Sequence, residues 1–135
     1  MSILDGVDFS GEFRGKSAYD LLKGEIKNVR NETMGRLDMQ IESFNVYEDK
    51  NTTIKHIVYI LTPNMGNYRR KLFTIFEQNQ DKPFPVRIVC ENTLKTIFDV
   101  EEENFLEEVN KLLRTPSQTR TIQELFKFSE PKNNK

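Results

Sequence analysis

Ile54-Lys55-His56-Ile57-Val58-Tyr59-Ile60-Leu61-Thr62 carries β-branched and aromatic side chains at both odd and even positions. A run of this kind suits an interior strand, covered on both sides near its middle. On its N-terminal side Leu37, Met39 and Ile41 alternate with polar residues, and Phe44 and Val46 continue out of phase. That pattern predicts a long strand interrupted by a bulge, joined to the quoted run through Glu48-Asp49-Lys50-Asn51. On its C-terminal side Pro63-Asn64-Met65-Gly66-Asn67 supplies turn chemistry. Beyond that turn, in a third strand from Arg69 to Glu77, Lys71, Phe73 and Ile75 share one face and Arg70, Leu72, Thr74 and Phe76 the other. Val86 to Cys90 and Leu94 to Val100 read as two further strands linked by Glu91-Asn92-Thr93, after a loop from Asn79 to Pro85.

Helical periodicity brackets this block. Ala18, Leu21, Leu22, Ile26 and Val29 recur at spacings of three and four. Ser17 is placed to cap that helix, Asp20 suits its positive end, and Gly35 fits just past its stop. Phe105, Leu106, Val109, Leu112 and Leu113 form a second stripe, with Glu101 to Glu103 at its start, Arg114 at its end and Pro116 stopping it. Thr121-Ile122-Gln123-Glu124 has the capping-box pattern and predicts a short last helix with Leu125, Phe126 and Phe128 turned inward. Consecutive strands without helical crossovers imply an antiparallel sheet. The expected fold is therefore α+β: an N-terminal helix, a meander sheet of about five strands and two C-terminal helices. Residues 1–16 read as a flexible lead, 17–128 as one domain and 129–135 as a disordered tail.

The chain has 135 residues, 36% hydrophobic and 30% charged, with 20 basic against 21 acidic side chains. A single domain of about this size buries enough surface to hold a core without disulfides or a metal. The net charge of -1 requires any basic surface to be local. Only residues 65–100 are in surplus, with 6 bases against 4 acids. One cysteine, Cys90, leaves no intramolecular disulfide, and no signal-like leader is evident, so a cytoplasmic location is expected. The longest apolar run, Ile57 to Leu61, falls far short of the roughly 20 residues that span a bilayer, so no membrane partner is expected.

Catalytic and metal-binding residue types are scarce. Gly11-Glu12-Phe13-Arg14-Gly15-Lys16-Ser17 ends as a phosphate-binding loop does, but three residues separate its glycines where four are needed. Lys16 and Ser17 remain a possible anion-binding pair at a helix start. With a single histidine and a single cysteine, a nucleophilic dyad would have to join His56 to Cys90. Cys90 sits in an apolar strand and His56 in phase with Ile54 and Val58, so both read as packed strand residues, His56 bonded to a neighbour. Neither Asp5 with Asp8 nor the three glutamates have the spacing of a cation loop. No catalytic residue, metal ligand or cofactor site is assigned.

Tyr68-Arg69-Arg70-Lys71-Leu72-Phe73 is the segment with partner-binding character, interleaving cations and rings. The expected function is a non-enzymatic, intracellular protein-interaction or regulatory module, able to associate with a second copy of itself. The alternative is a protein that binds single-stranded nucleic acid through Tyr68, Arg69, Arg70, Lys71 and Phe73. An enzyme working with carboxylates is the third reading.

Overall fold

The computed structural model describes residues 17–48, 51–77 and 83–129. Helix α1 (Ala18–Glu32) starts at a capping box. The Ser17 hydroxyl accepts the Asp20 amide at 3.1 Å, and the Asp20 carboxylate accepts the Ser17 amide at 3.4 Å. Two orphan amides are thereby satisfied and a negative charge sits at the positive helix end. The chain leaves α1 through Gly35, whose φ of 79° favours glycine and whose amide donates to the Arg30 carbonyl at 2.8 Å.

Five strands follow: β1 (Asp38–Glu48), β2 (Asn51–Thr62), β3 (Tyr68–Glu77), β4 (Val86–Cys90) and β5 (Lys95–Val100). They pair in chain order, every pair antiparallel, as the absence of helical crossovers requires. Helices α2 (Glu102–Leu113) and α3 (Pro116–Phe128) complete the α+β fold. Ala18 and Leu22 of α1, Phe105, Val109 and Leu112 of α2 and Leu125 of α3 form one buried cluster with Met39, Val58, Ile60, Phe73, Ile75, Val86 and Ile88 of the sheet. These strand residues alternate along each strand and lie level with one another across it, so one face of the sheet carries the core. Among the described residues no helix is long and apolar enough to cross a membrane.

Several local expectations are corrected, among them the inward Phe128, which is 58% exposed. The bulge is not in β1, which pairs with β2 in one unbroken register from Asp38↔Leu61 to Glu48↔Asn51. Phase is kept because Phe44 lies on the sheet's other face, 49% exposed, rather than in the core. The bulge falls in β3, where Val58 pairs with Phe73 and Tyr59 with Lys71, leaving Leu72 unpaired. One extra residue flips the side-chain phase, so Lys71 is not on the face of Phe73 and Ile75. In β5 the alternation breaks at Asp99, whose φ of 54° is in the left-handed region that aspartate tolerates. Ile97 and Val100 both then turn to the core face, opposite Ile88 and Val86, while Leu94 is a 94% exposed turn residue. Lastly, Pro116 opens α3 as well as closing α2, since a proline at the first helical position loses no bond. Thr121 is therefore inside the helix, its hydroxyl donating to the Ser117 carbonyl.

The lead 1–16 and residues 130–135 of the expected tail lie outside the described residues. Ser129, expected to begin the tail, caps α3 and is 1% exposed, with its hydroxyl donating to the Phe126 carbonyl.

Candidate functional site

Opposite the helices, the sheet presents a second face. Register places Phe44 across from Lys55, Lys55 from Phe76 and Phe76 from Arg87. On β5 the residues facing Arg87 are the unpaired Phe98 and Asp99, between the pairs Ile88↔Ile97 and Val86↔Val100. One row thus runs Phe44, Lys55, Phe76, Arg87, Phe98 across all five strands, alternating ring and cation. The central ring is covered by its neighbours: the Arg87 guanidinium lies 4.2 Å from the Phe76 centroid and Lys55 Nζ 5.9 Å from it. The outer rings are bare, Phe44 at 49% and Phe98 at 65% exposure.

A second row on the same face is already neutralised. Arg69 lies 3.8 Å over the Tyr59 ring and donates to Glu42 at 2.8 Å and to Gln40 at 2.9 Å. Lys71 pairs with Glu91. The hydrogen bond from Arg69 holds the Glu42 carboxyl below the usual carboxylate range, with burial opposing it and the positive charge adding to it. Glu91 is lowered likewise, first by its hydrogen bond from Lys71. Because the folded value of Glu42 is depressed, its contribution to stability is present above the unfolded value and is lost as pH falls through the folded one. In the Arg69→Gln variant Glu42 is expected to titrate nearer an ordinary carboxylate. Carboxyl NMR titration checks this, and an unchanged midpoint would mean the pair does not persist in solution.

The sequence segment from Tyr68 to Phe73 is divided by the fold. Tyr68 and Arg70 are exposed, while Arg69 and Lys71 join the paired row. Phe73 is 1% exposed and faces the core, so it cannot contact a partner. This stretch of β3 runs past the end of β4, and its carbonyls are met by side chains instead. Asn92 Nδ2 donates to the Lys71 carbonyl at 3.2 Å and Gln118 Nε2 to the Leu72 carbonyl at 2.7 Å. Ser17 spends its hydroxyl on the α1 cap, and Lys16 lies outside the described residues.

Behind the sheet, on the core face near one end of its strands, sits a row of polar groups absent from the sequence reading. Ser43, His56 and Ile75 align across β1, β2 and β3, with Glu77 two residues beyond Ile75. Ser43 Oγ is 2.7 Å from His56 Nδ1, and His56 Nε2 is 3.3 Å from Glu77 Oε1. His56 and Glu77 side chains are each 6% exposed, Ser43 is exposed, and the Tyr19 ring of α1 stands 5.7 Å from the imidazole. The hydrogen-bonded neighbour expected for His56 is thus Ser43. Cys90 is elsewhere, two strands over and two residues beyond the level of His56, its thiol directed at the Leu72 carbonyl. Alternation carried a signal for this row, since Ser43 follows Met39 and Ile41 in phase, and Glu77 follows Phe73 and Ile75. Among the described residues no group of three or more potential ligands could hold a metal ion. Compared with family models, curated proteins and solved structures, the chain gives no match.

Proposed function

We propose that this chain is a protein-binding module whose partner docks on the helix-free face of the sheet. The alternating row Phe44, Lys55, Phe76, Arg87, Phe98 carries this reading. Rings and guanidinium groups are the side chains in which binding energy concentrates at protein interfaces, rings because they bury large area at little entropic cost and guanidinium groups because their planar fork pairs with acidic groups. Five strands spaced by about 4.8 Å present this row over roughly 20 Å, a width suited to a folded or extended polypeptide. Two cations without a paired carboxylate among the described residues, Lys55 and Arg87, favour a partner surface bearing acidic groups between apolar ones. The cytoplasmic location belongs to the same reading, resting on one buried, unpaired thiol.

A protein fits better than single-stranded nucleic acid. Arg69 and Lys71 are paired with Glu42 and Glu91, and the Tyr59 ring lies under Arg69, so the cations of the Tyr68 to Phe73 segment are already neutralised and only Lys55 and Arg87 stand beside the bare rings, too few for a phosphate track. Phe98→Ala and Arg87→Gln are each expected to weaken the complex by about tenfold or more, with little change in unfolding midpoint. The test is co-purification from nuclease-treated native cells, followed by titration of the recovered protein against wild type and variants. Equal affinity of the variants would sink the proposal. So would binding of oligonucleotides whose affinity falls steeply with salt and is lost with Arg87. Sedimentation of the purified chain tells whether the partner is a second copy.

A further inference from the structure

We infer that Ser43, His56 and Glu77 form a nucleophilic site for carboxylic esters, separate from the docking face and independent of the binding reading. Three observations carry it. Ser43 Oγ lies 2.7 Å from His56 Nδ1, within proton-transfer distance, and is the accessible member of the row. For Nδ1 to accept the hydroxyl proton, the neutral ring must carry its hydrogen on Nε2, the nitrogen that faces Glu77. Finally, the Glu77 carboxylate lies 3.3 Å from His56 Nε2, with both side chains 6% exposed. A carboxylate at that distance, behind the nitrogen that does not face Ser43, is placed to stabilise an imidazolium.

The chemistry closes. As Ser43 Oγ bonds to the ester carbonyl carbon, its proton passes to His56 Nδ1, and the Glu77 carboxylate stabilises the resulting imidazolium. When the carbon–oxygen bond to the leaving group breaks, the alkoxide takes the proton from Nδ1. Water then attacks the acyl-Ser43, giving a proton to Nδ1 that returns to Oγ as the acid departs. The side-chain amide of Asn45, exposed and two residues along the same face of β1, is the donor for the oxyanion. Ile41 and Ile54, both partly buried on that face, give the acyl chain an apolar border. Ser43, His56 and Asn45 are the catalytic residues, and Glu77 is a positioning residue.

The experiment is labelling of the full chain with a fluorophosphonate, which phosphonylates Oγ and releases fluoride, read by intact and peptide mass. Wild type is expected to label at Ser43, and Ser43→Ala not at all. His56→Ala should slow labelling by about 100-fold or more, the usual worth of a general base. Glu77→Gln should both slow labelling and move its rise with pH to lower pH, because the imidazolium loses its counter-charge; a merely structural role would leave that profile in place. If the His56 variant does not fold, Ser43→Cys serves instead. The introduced thiol, paired with His56, should alkylate at pH 6 at least about tenfold faster than a free peptide thiol. Labelling no faster than Ser43→Ala, labelling spread over other residues, or an introduced thiol of ordinary reactivity each overturns the assignment.

Discussion

Replacing Phe73 by alanine is expected to destabilise the domain by about 3 to 5 kcal/mol, the usual range for emptying a buried aromatic site. Phe73 is 1% exposed, lies opposite Val58 in the middle of the sheet and follows the bulge at Leu72. Its neighbours in sequence limit how far the strand can shift to fill the void, because the Leu72 carbonyl is fixed by Gln118 and the Lys71 carbonyl by Asn92. The loss comes from packing and takes a large share of a total stability of about 5 to 15 kcal/mol. Urea unfolding would show it as a lowered midpoint at unchanged slope. Tyr68→Ala, at a side chain 48% exposed five residues earlier, should stay within about 0.5 kcal/mol. Equal midpoints for the two variants would place Phe73 on a surface and overturn the register of β3.

That contrast also shows what could be read from the chain and what could not. Element type and order were legible because they rest on local chemistry: the Ser17 cap, the stripe from Phe105 to Leu113, and β-branched runs punctuated by Pro63 and Gly66. The face of each residue was legible only where no extra residue intervened. Tyr68 to Phe73 alternates equally well with or without a bulge, and the side chain that meets the bulge's carbonyl is Gln118, 46 residues from Leu72. The ring and cation row needs three registers at once, and periodicity within one strand fixes none of them. His56 was legible as a bonded strand residue. Its partners, Ser43 and Glu77, come from two other strands and are brought to it by pairing alone.

Gln118 is the residue whose importance the sequence conceals most completely, being a polar side chain in an amphipathic helix that would ordinarily face water. It is wholly buried, donating from Nε2 to the Leu72 carbonyl at 2.7 Å and accepting from Asn92 Nδ2 at 3.2 Å. One side chain thereby ties α3 to the bulge of β3 and to the turn after β4. The carbonyl it serves has no ladder partner, since the pairing of β3 with β4 begins only at Thr74. Its other contact is the Cys90 thiol at 3.5 Å, a weak donor. Gln118→Ala should therefore cost about 2 to 4 kcal/mol, combining a cavity with a buried acceptor left to that thiol. Gln118→Leu restores most of the volume but not the bond, and should still cost about 1 to 3 kcal/mol. The difference between the two variants measures packing, and the loss remaining in the leucine variant measures the hydrogen bond. Hydrogen exchange at β3 localises the effect, with protection falling near Leu72 before it falls at Ile75. A leucine variant as stable as wild type would mean that the bulge is held by the sheet itself, and that α3 merely rests upon it.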